Sequence, residues 1–334
     1  GGTDTERLLL TTRSVDEIRR LIRPVLEDHD LMLGEDVEVY FLRLLRSLSG
    51  RLALKLLSAP TQVSEAMGLA LARLFLEQYS LLENRIMLPL DAHSNLFAEA
   101  SREDPLQEEL SLQRGDLLLV SCDPDTRTVH FQIIEVKFQA DLGGFSAYVT
   151  LQQRIEGQIA NSEEVLRRHF DPHRTPVDRL DRQVKTKELF SLLGFYLARS
   201  HRYGLVSDAA RTRLHTFLEG LDEGYQLECS GVGLIFDLGH QGIEVHEEHP
   251  GLIFYRVGQD YVHRLLNNGL RRRALLQEQA QEKVATIEET ERQVEERRRI
   301  VDDTTMRDDP HYARVRTSFD ITPLPDIGQV QTPE

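Results

Sequence analysis

Three residues stand at spacings that would serve phosphodiester hydrolysis: Asp116, directly after Gly115, and the pair Glu135 and Lys137. That chemistry needs a divalent ion to polarise the phosphate and acidify a water. It also needs carboxylates to hold the ion, and a cation to orient the water or stabilise charge. Mg2+ suits such a site, since it takes one or two carboxylates and keeps several waters. Glu135 and Lys137 are embedded among Ile133, Ile134, Val136 and Phe138. Charges in so apolar a run are costly unless they are paired or used. An edge strand with a wet polar face would carry the same triplet, so the surrounding elements decide between the two readings.

Those elements are legible from periodicity. Residues 116–121 and 129–138 read as two strands joined by the turn residues Asp123-Pro124-Asp125-Thr126-Arg127, which makes a β-hairpin. Period-two alternation puts Glu135 and Lys137 on one face and Val136 on the other, and the hairpin brings Asp116 opposite the Glu135 end. Ahead of the hairpin, residues 14–58 read as helical, with Ser14 as a cap and Gly50 as a stop or break. Residues 64–82 predict a helix apolar nearly all round, hence buried. A short strand follows at 86–90, then a short helix through Phe97 and a charged loop at 101–111.

After Gly143-Gly144, a helix is expected over 146–170, with Leu151, Ile155, Ile159, Ser162, Leu166 and Phe170 on one face. Helices at 178–202 and 207–221 come next. Strands are expected at 231–238, 243–246 and 252–257, and a short closing helix at 259–266. The charged helix from 270 to 301 carries a partial seam of Ala280, Val284, Ile287, Val294 and Val301, interrupted by Glu291 and Arg298. That seam reads as a solvated connector more readily than as a dimer zipper, and leaves a homo-oligomer open. The expected fold class is α/β, a small mixed β-sheet flanked by helices. It divides into a helical N-terminal region (1–60), a sheet-containing domain (61–266), the charged connector helix (267–301) and a proline-containing tail (302–334).

The chain has 334 residues and a net charge of −15, from 40 basic and 55 acidic side chains. Such acidity argues against a nonspecific nucleic-acid coat but permits a local basic groove. Residues 146–215 run against the trend, with 12 Lys or Arg against 8 Asp or Glu. A solvated helical surface of mixed charge explains that stretch equally well. Two cysteines, Cys122 and Cys229, exclude a disulfide scaffold and a cysteine-built zinc site. With no apolar run near the ~20 residues of a membrane span and no signal-like start, the expectation is a cytoplasmic protein away from the membrane. His240, His246 and His249 cluster with Glu244, Glu247 and Glu248, which reads as a solvated acidic loop. Gly231-x-Gly233 lacks the third glycine and helix of a dinucleotide fingerprint.

Gly115-Asp116 followed by Glu135-Val136-Lys137 resembles the PD-(D/E)xK nuclease superfamily over residues 64–170, with an extension to 262. The resemblance implies a restriction-endonuclease-like core and a Mg2+- or Mn2+-dependent DNA endonuclease. Metal would sit on Asp116, Glu135 and the carbonyl of Val136, and Lys137 would assist the attacking water. It further implies a helix Glu, for which Glu65, Glu77 and Glu83 are all candidates. A helix Gln is also implied, with Gln152, Gln153 and Gln158 as candidates and Gln153 favoured by its spacing from Lys137. Position 157 is Gly, so the Gln–Tyr submotif of some members is absent.

A weaker resemblance joins Leu88-Pro89-Leu90-Asp91-Ala92-His93 to the strands above and is similar to the nuclease-like region of large bacterial DNA-defence ATPases. Phosphorothioation-linked restriction systems include such proteins. It implies an anti-phage setting and a translocase-type ATPase. No phosphate loop occurs in this chain, so that ATPase would be a further segment or a partner. Two other readings stay open: a nuclease-fold DNA-binding or assembly module without catalysis, and a helical interaction protein in which Asp116 and Glu135 lie far apart.

Overall fold

The computed structural model describes residues 12–34, 37–48, 63–93, 96–97, 114–174 and 180–301. Gly50 as a helix stop, the loop at 101–111 and the tail after 301 lie outside the described residues, as do the side chains of the connector-helix seam.

The hairpin organises a six-stranded mixed sheet. Strand β2 (Leu117–Asp123) pairs antiparallel with β3 (Thr128–Gln139). The turn between them is held by Asp123, which accepts from the Asp125 N–H at 3.0 Å and the Thr126 hydroxyl at 2.8 Å. Strand β1 (Ile86–Pro89) adds antiparallel to β2. On the other side, β4 (Gln226–Asp237) and β6 (Leu252–Gly258) continue the sheet in parallel, and β5 (Ile243–His249) closes it antiparallel to β6. The order is β1-β2-β3-β4-β6-β5. Strand β4 extends well before the expected Gly231. Its leading half, Gln226–Ser230, is partly exposed and lacks the continuous apolar run that marks the remainder.

Alternation along β2 and β3 separates two cores. Leu117, Leu119, Ile134 and Val136 face one layer, made of α1 (Thr12–Asp28), α2 (Val37–Leu48), α3 (Val63–Gln78) and the start of α7 (Gln259–Val301). Leu118, Val120, Phe131 and Ile133 face the other, made of α4 (Phe145–Phe170), α5 (Leu180–Arg202) and α6 (Asp208–Glu219). Helix α3 is buried nearly all round, as its composition predicts. The chain divides into two compact units, Gly1–Arg271 and Arg272–Glu334. Helices α1 and α2 share a core with α3 and the sheet. The expected closing and connector helices are a single helix, α7, with Leu275 and Leu276 exposed.

The Gly231-x-Gly233 pair is explained by packing. A Cβ at Gly231 would stand 2.6 Å from Ile159 and 2.8 Å from Leu252; one at Gly233 would stand 2.3 Å from the Phe254 ring. The glycines let α4 and β6 close over β4. Helix α6 starts at a side-chain cap, with Ser207 Oγ accepting from the Ala210 N–H at 3.2 Å. Ser207→Ala is expected to cost about 1 kcal/mol in equilibrium denaturation. No described helix is long and apolar enough to cross a membrane.

Candidate active site

The β2–β3 register pairs Leu117 with Ile134, and the Asp116 N–H donates to the Ile134 carbonyl at 3.0 Å. Extending that register by one step sets Asp116 opposite Glu135, on the same face, with Lys137 two residues on. The three side chains meet where β2 begins and β3 runs out, in a cleft of ≈ 330 Å³. Asp116 Oδ2 accepts from the Val136 N–H at 2.7 Å. A strand residue's N–H and C=O leave on the same edge, so the Val136 carbonyl faces the Asp116 edge as well.

The electrostatics of this corner are unusual for a structural ion pair. Glu135 is only 1% exposed. One of its oxygens takes the Lys137 ammonium; the other, Oε2, is buried and makes no hydrogen bond of good geometry among the described residues, its nearest polar neighbour being the Asp116 carboxyl, which lowers the Glu135 value by a side-chain contact. Burial pushes the Glu135 carboxyl up to about 7, against the downward pull of Lys137. Burial, reinforced by the Glu135 charge, holds Asp116 well above the usual carboxylate range. Two carboxyls that resist ionisation side by side, one with an orphaned oxygen, form a donor set that a divalent cation would satisfy. Among the described residues no three His, Cys, Asp or Glu side chains converge into a metal cage. A pair of carboxylates with a backbone carbonyl is nonetheless a set that suits a hydrated Mg2+ or Mn2+.

The segment carrying Asp116 is pinned from three sides. Leu90 N–H donates to the Asp116 carbonyl at 3.0 Å, and the Gly115 N–H donates to Ser162 Oγ at 2.7 Å. Gln158 Nε2 reaches the Arg114 carbonyl at 3.4 Å. A Cβ on Gly115 would stand 2.7 Å from Ile133 Cγ2, which explains a glycine before Asp116. Ser162 is wholly buried. Ser162→Ala orphans the Gly115 N–H and is expected to cost about 1–3 kcal/mol of stability in urea titration, with a reduced activity through misplacement of Asp116.

Of the helix acids, Glu65 at the start of α3 lines the cleft. Glu77 pairs with Arg73 at 3.2 Å, and Glu83 is exposed in the turn after α3. Of the helix glutamines, Gln153 is exposed and does not line the cleft, whereas Gln158 does. Helix phase is the reason: Gln158 shares the buried face with Ile155, Ile159 and Ser162, and Gln153 points away from it. His93 bonds the Tyr196 hydroxyl at 2.9 Å and is not part of the cleft lining. The histidines of the β4–β6 region go to separate carboxylates: His240 to Glu244, His246 to Glu248 and His249 to Glu156.

Arg114, which no motif in the sequence marks, lines the cleft and bonds Asp91. Its place two residues before Asp116, on the same strand lead-in, was the available signal. Comparison with protein-family models, with curated proteins and with solved structures returns no match.

Proposed function

We propose that this chain carries a Mg2+- or Mn2+-dependent deoxyribonuclease of the PD-(D/E)xK type, with Asp116, Glu135 and the Val136 carbonyl as metal ligands. The observation that supports this most is the meeting of Asp116, Glu135 and Lys137 at one open strand end, with Glu135 buried and half unpartnered. A helical interaction protein gives no reason to bury a carboxylate in this way, and it requires Asp116 and Glu135 to lie apart. A divalent ion held there would polarise a phosphodiester and supply an acidified water. Asp116, fixed by the Val136 N–H, holds its carboxylate toward Glu135. Lys137 presents its ammonium beside Glu135, where it orients a water and steadies charge on the phosphate. Glu65 adds a carboxylate from α3 at the rim.

The net charge of −15 favours delivery of DNA by a partner or further segment. A translocase-type ATPase in a bacterial defence setting is the form that the Asp91-containing motif favours. The test is conversion of supercoiled plasmid by the full chain with Mg2+ or Mn2+, with and without chelator, then with ATP and the candidate partner. Metal-dependent nicking supports the proposal. Silence under every condition favours a DNA-binding module without catalysis.

Metal affinity is expected to depend on pH. The ligands bind metal only when ionised, and Glu135 holds its proton up to about 7. Mn2+ binding measured by calorimetry should therefore weaken roughly tenfold or more between about pH 8 and about pH 6. The metal-free fold behaves oppositely. Because the folded-state Glu135 value is raised, its contribution to stability is fully present below the ordinary carboxylate range and is lost as pH rises through about 7. Glu135→Gln removes that part of the pH dependence.

A further inference from the structure

We propose that Arg85, His130, Gln132 and Ser230 form a second ligand site, a seat for the phosphoryl group of a small molecule, on the sheet face opposite Glu135 and Lys137. The inference goes beyond the nuclease reading and does not depend on it.

Alternation places the site. His130 and Gln132 share the parity of Ile134 and Val136 on β3, whereas Glu135 and Lys137 have the other. Register carries the same face onto the neighbouring strands. Ser121 and Leu119 of β2 stand opposite His130 and Gln132, and Glu228 and Ser230 of β4 stand on their other side. Arg85 directly precedes β1, and its Nη1 donates to Gln132 Oε1 at 2.8 Å, so the side chain crosses β2. The layer of α1, α2 and α3 packs on this face at Leu119, Ile134 and Val232. Toward the start of β3 the face turns polar, and Arg85, Ser121, His130, Gln132 and Ser230 are all half-buried there.

These side chains share a set of unmet donors. Arg85 makes that one hydrogen bond and no ion pair among the described residues, and its partner is a neutral amide. Burial lowers its pKa, and no carboxylate charge offsets this. Gln132 Nε2 and the His130 ring make no hydrogen bond among the described residues, and Ser230 Oγ is buried with no partner among them. Burial, then the Arg85 charge, holds the His130 ring below its usual range, with Glu228 pulling the other way, so Arg85 and His130 lie side by side. A guanidinium half-buried without a counter-charge is costly. A chain with 55 acidic side chains could have placed one there, yet the nearby Glu228 is exposed and acts on His130 alone of the two. A phosphoryl group completes the set. Its charge neutralises Arg85, two oxygens take the Nε and Nη2 edge of the fork, and the remainder accept from His130, Gln132 and the Ser230 hydroxyl. A carboxylate would fill the fork and leave those other donors unmet.

The experiment titrates inorganic phosphate into the full chain at constant ionic strength and follows the His130 ring by NMR, its signal identified by its loss in His130→Asn. The wild type is expected to show a saturable shift with a dissociation constant of about 1–10 mM. Arg85→Gln should bind at least roughly tenfold more weakly, through loss of a charge-assisted pair. Arg85→Lys, the variant gentler on folding, should bind several-fold more weakly than wild type, because the charge remains and the fork is lost. A purely structural Arg85, lying over Leu119, would lower the melting temperature of Arg85→Gln and give no phosphate response in the wild type. That absence of response, equal binding by both Arg85 variants and wild type, or an equal response to acetate overturns the proposal. Loss of phosphate binding in Lys137→Ala but not in Arg85→Gln would put the anion in the cleft on the other face, and overturns it too.

Discussion

Replacing Lys137 by alanine is expected to lower metal-dependent DNA cleavage by roughly a thousandfold while Mn2+ binding persists, in line with the loss of a single preorganised charge in a catalytic site. The two readouts separate because Lys137 is not a metal ligand here. Its ammonium contacts Glu135 and draws that carboxyl toward ionisation, so its removal leaves the ligand in place but harder to ionise. Mn2+ binding is therefore compared at about pH 9, where the carboxylate is available in both proteins. Glu135→Ala deletes the ligand and should lose both. Single-turnover cleavage and calorimetry on the same preparations check the split. If Lys137→Ala loses Mn2+ binding as completely as Glu135→Ala does, the lysine is holding the fold of the corner, and its assigned part in the reaction is wrong. If Lys137→Ala cuts as the wild type does, the triplet is not the catalytic one.

The largest effect on stability is expected at Phe254. Its ring is 1% exposed and lies across Gly233, its register partner on β4, where a Cβ would stand 2.3 Å from it. Ile155 of α4 closes the same spot, 3.1 Å from that position. The aromatic therefore fills the groove that the glycine leaves, on the strand paired with Glu135. Phe254→Ala should cost about 3–5 kcal/mol, because the surrounding helix and strands relax only in part around the void. Gly233→Val approaches the same contact from the opposite side and should destabilise by overpacking, typically about 1–3 kcal/mol. Urea denaturation measures both. A Phe254→Ala cost under about 1 kcal/mol would mean that α4 collapses freely onto β4, contrary to the packing described.

The corner of the sheet that carries Asp116, Glu135 and Lys137 was readable because local rules define it. The Asp123–Arg127 turn sets the hairpin register, and a period of two puts Glu135 and Lys137 on one face. The mixed α/β class followed from the same periodicities. What failed to show was decided by distant partners. Spacing from Lys137 favoured Gln153, but the face of α4 that meets the sheet is set by Ile155, Ile159 and Ser162, and Gln158 lies on it. The choice of Glu65 over Glu77 and Glu83 depends on which end of α3 meets the end of β3, where Gly68 packs on Val136 and Phe138. Nothing local encodes that docking. Arg114 comes to the cleft with Asp91, 23 residues earlier in the chain, a pairing that no local pattern encodes. The N-terminal helices looked separable because their apolar faces cannot be matched to a partner from sequence, yet they cover one face of the sheet.

The central proposal is that Asp116 and the buried Glu135 form a divalent-cation site. Calorimetric titration of Mn2+ into the full chain at about pH 8, beside Glu135→Gln, tests it most directly. The variant keeps the size of the side chain and removes the ionisable ligand. The account predicts one saturable site in the wild type, competed by Mg2+, and its loss in the variant together with plasmid cleavage. Equal binding by the two proteins, or no binding by a wild type that remains folded, would contradict it.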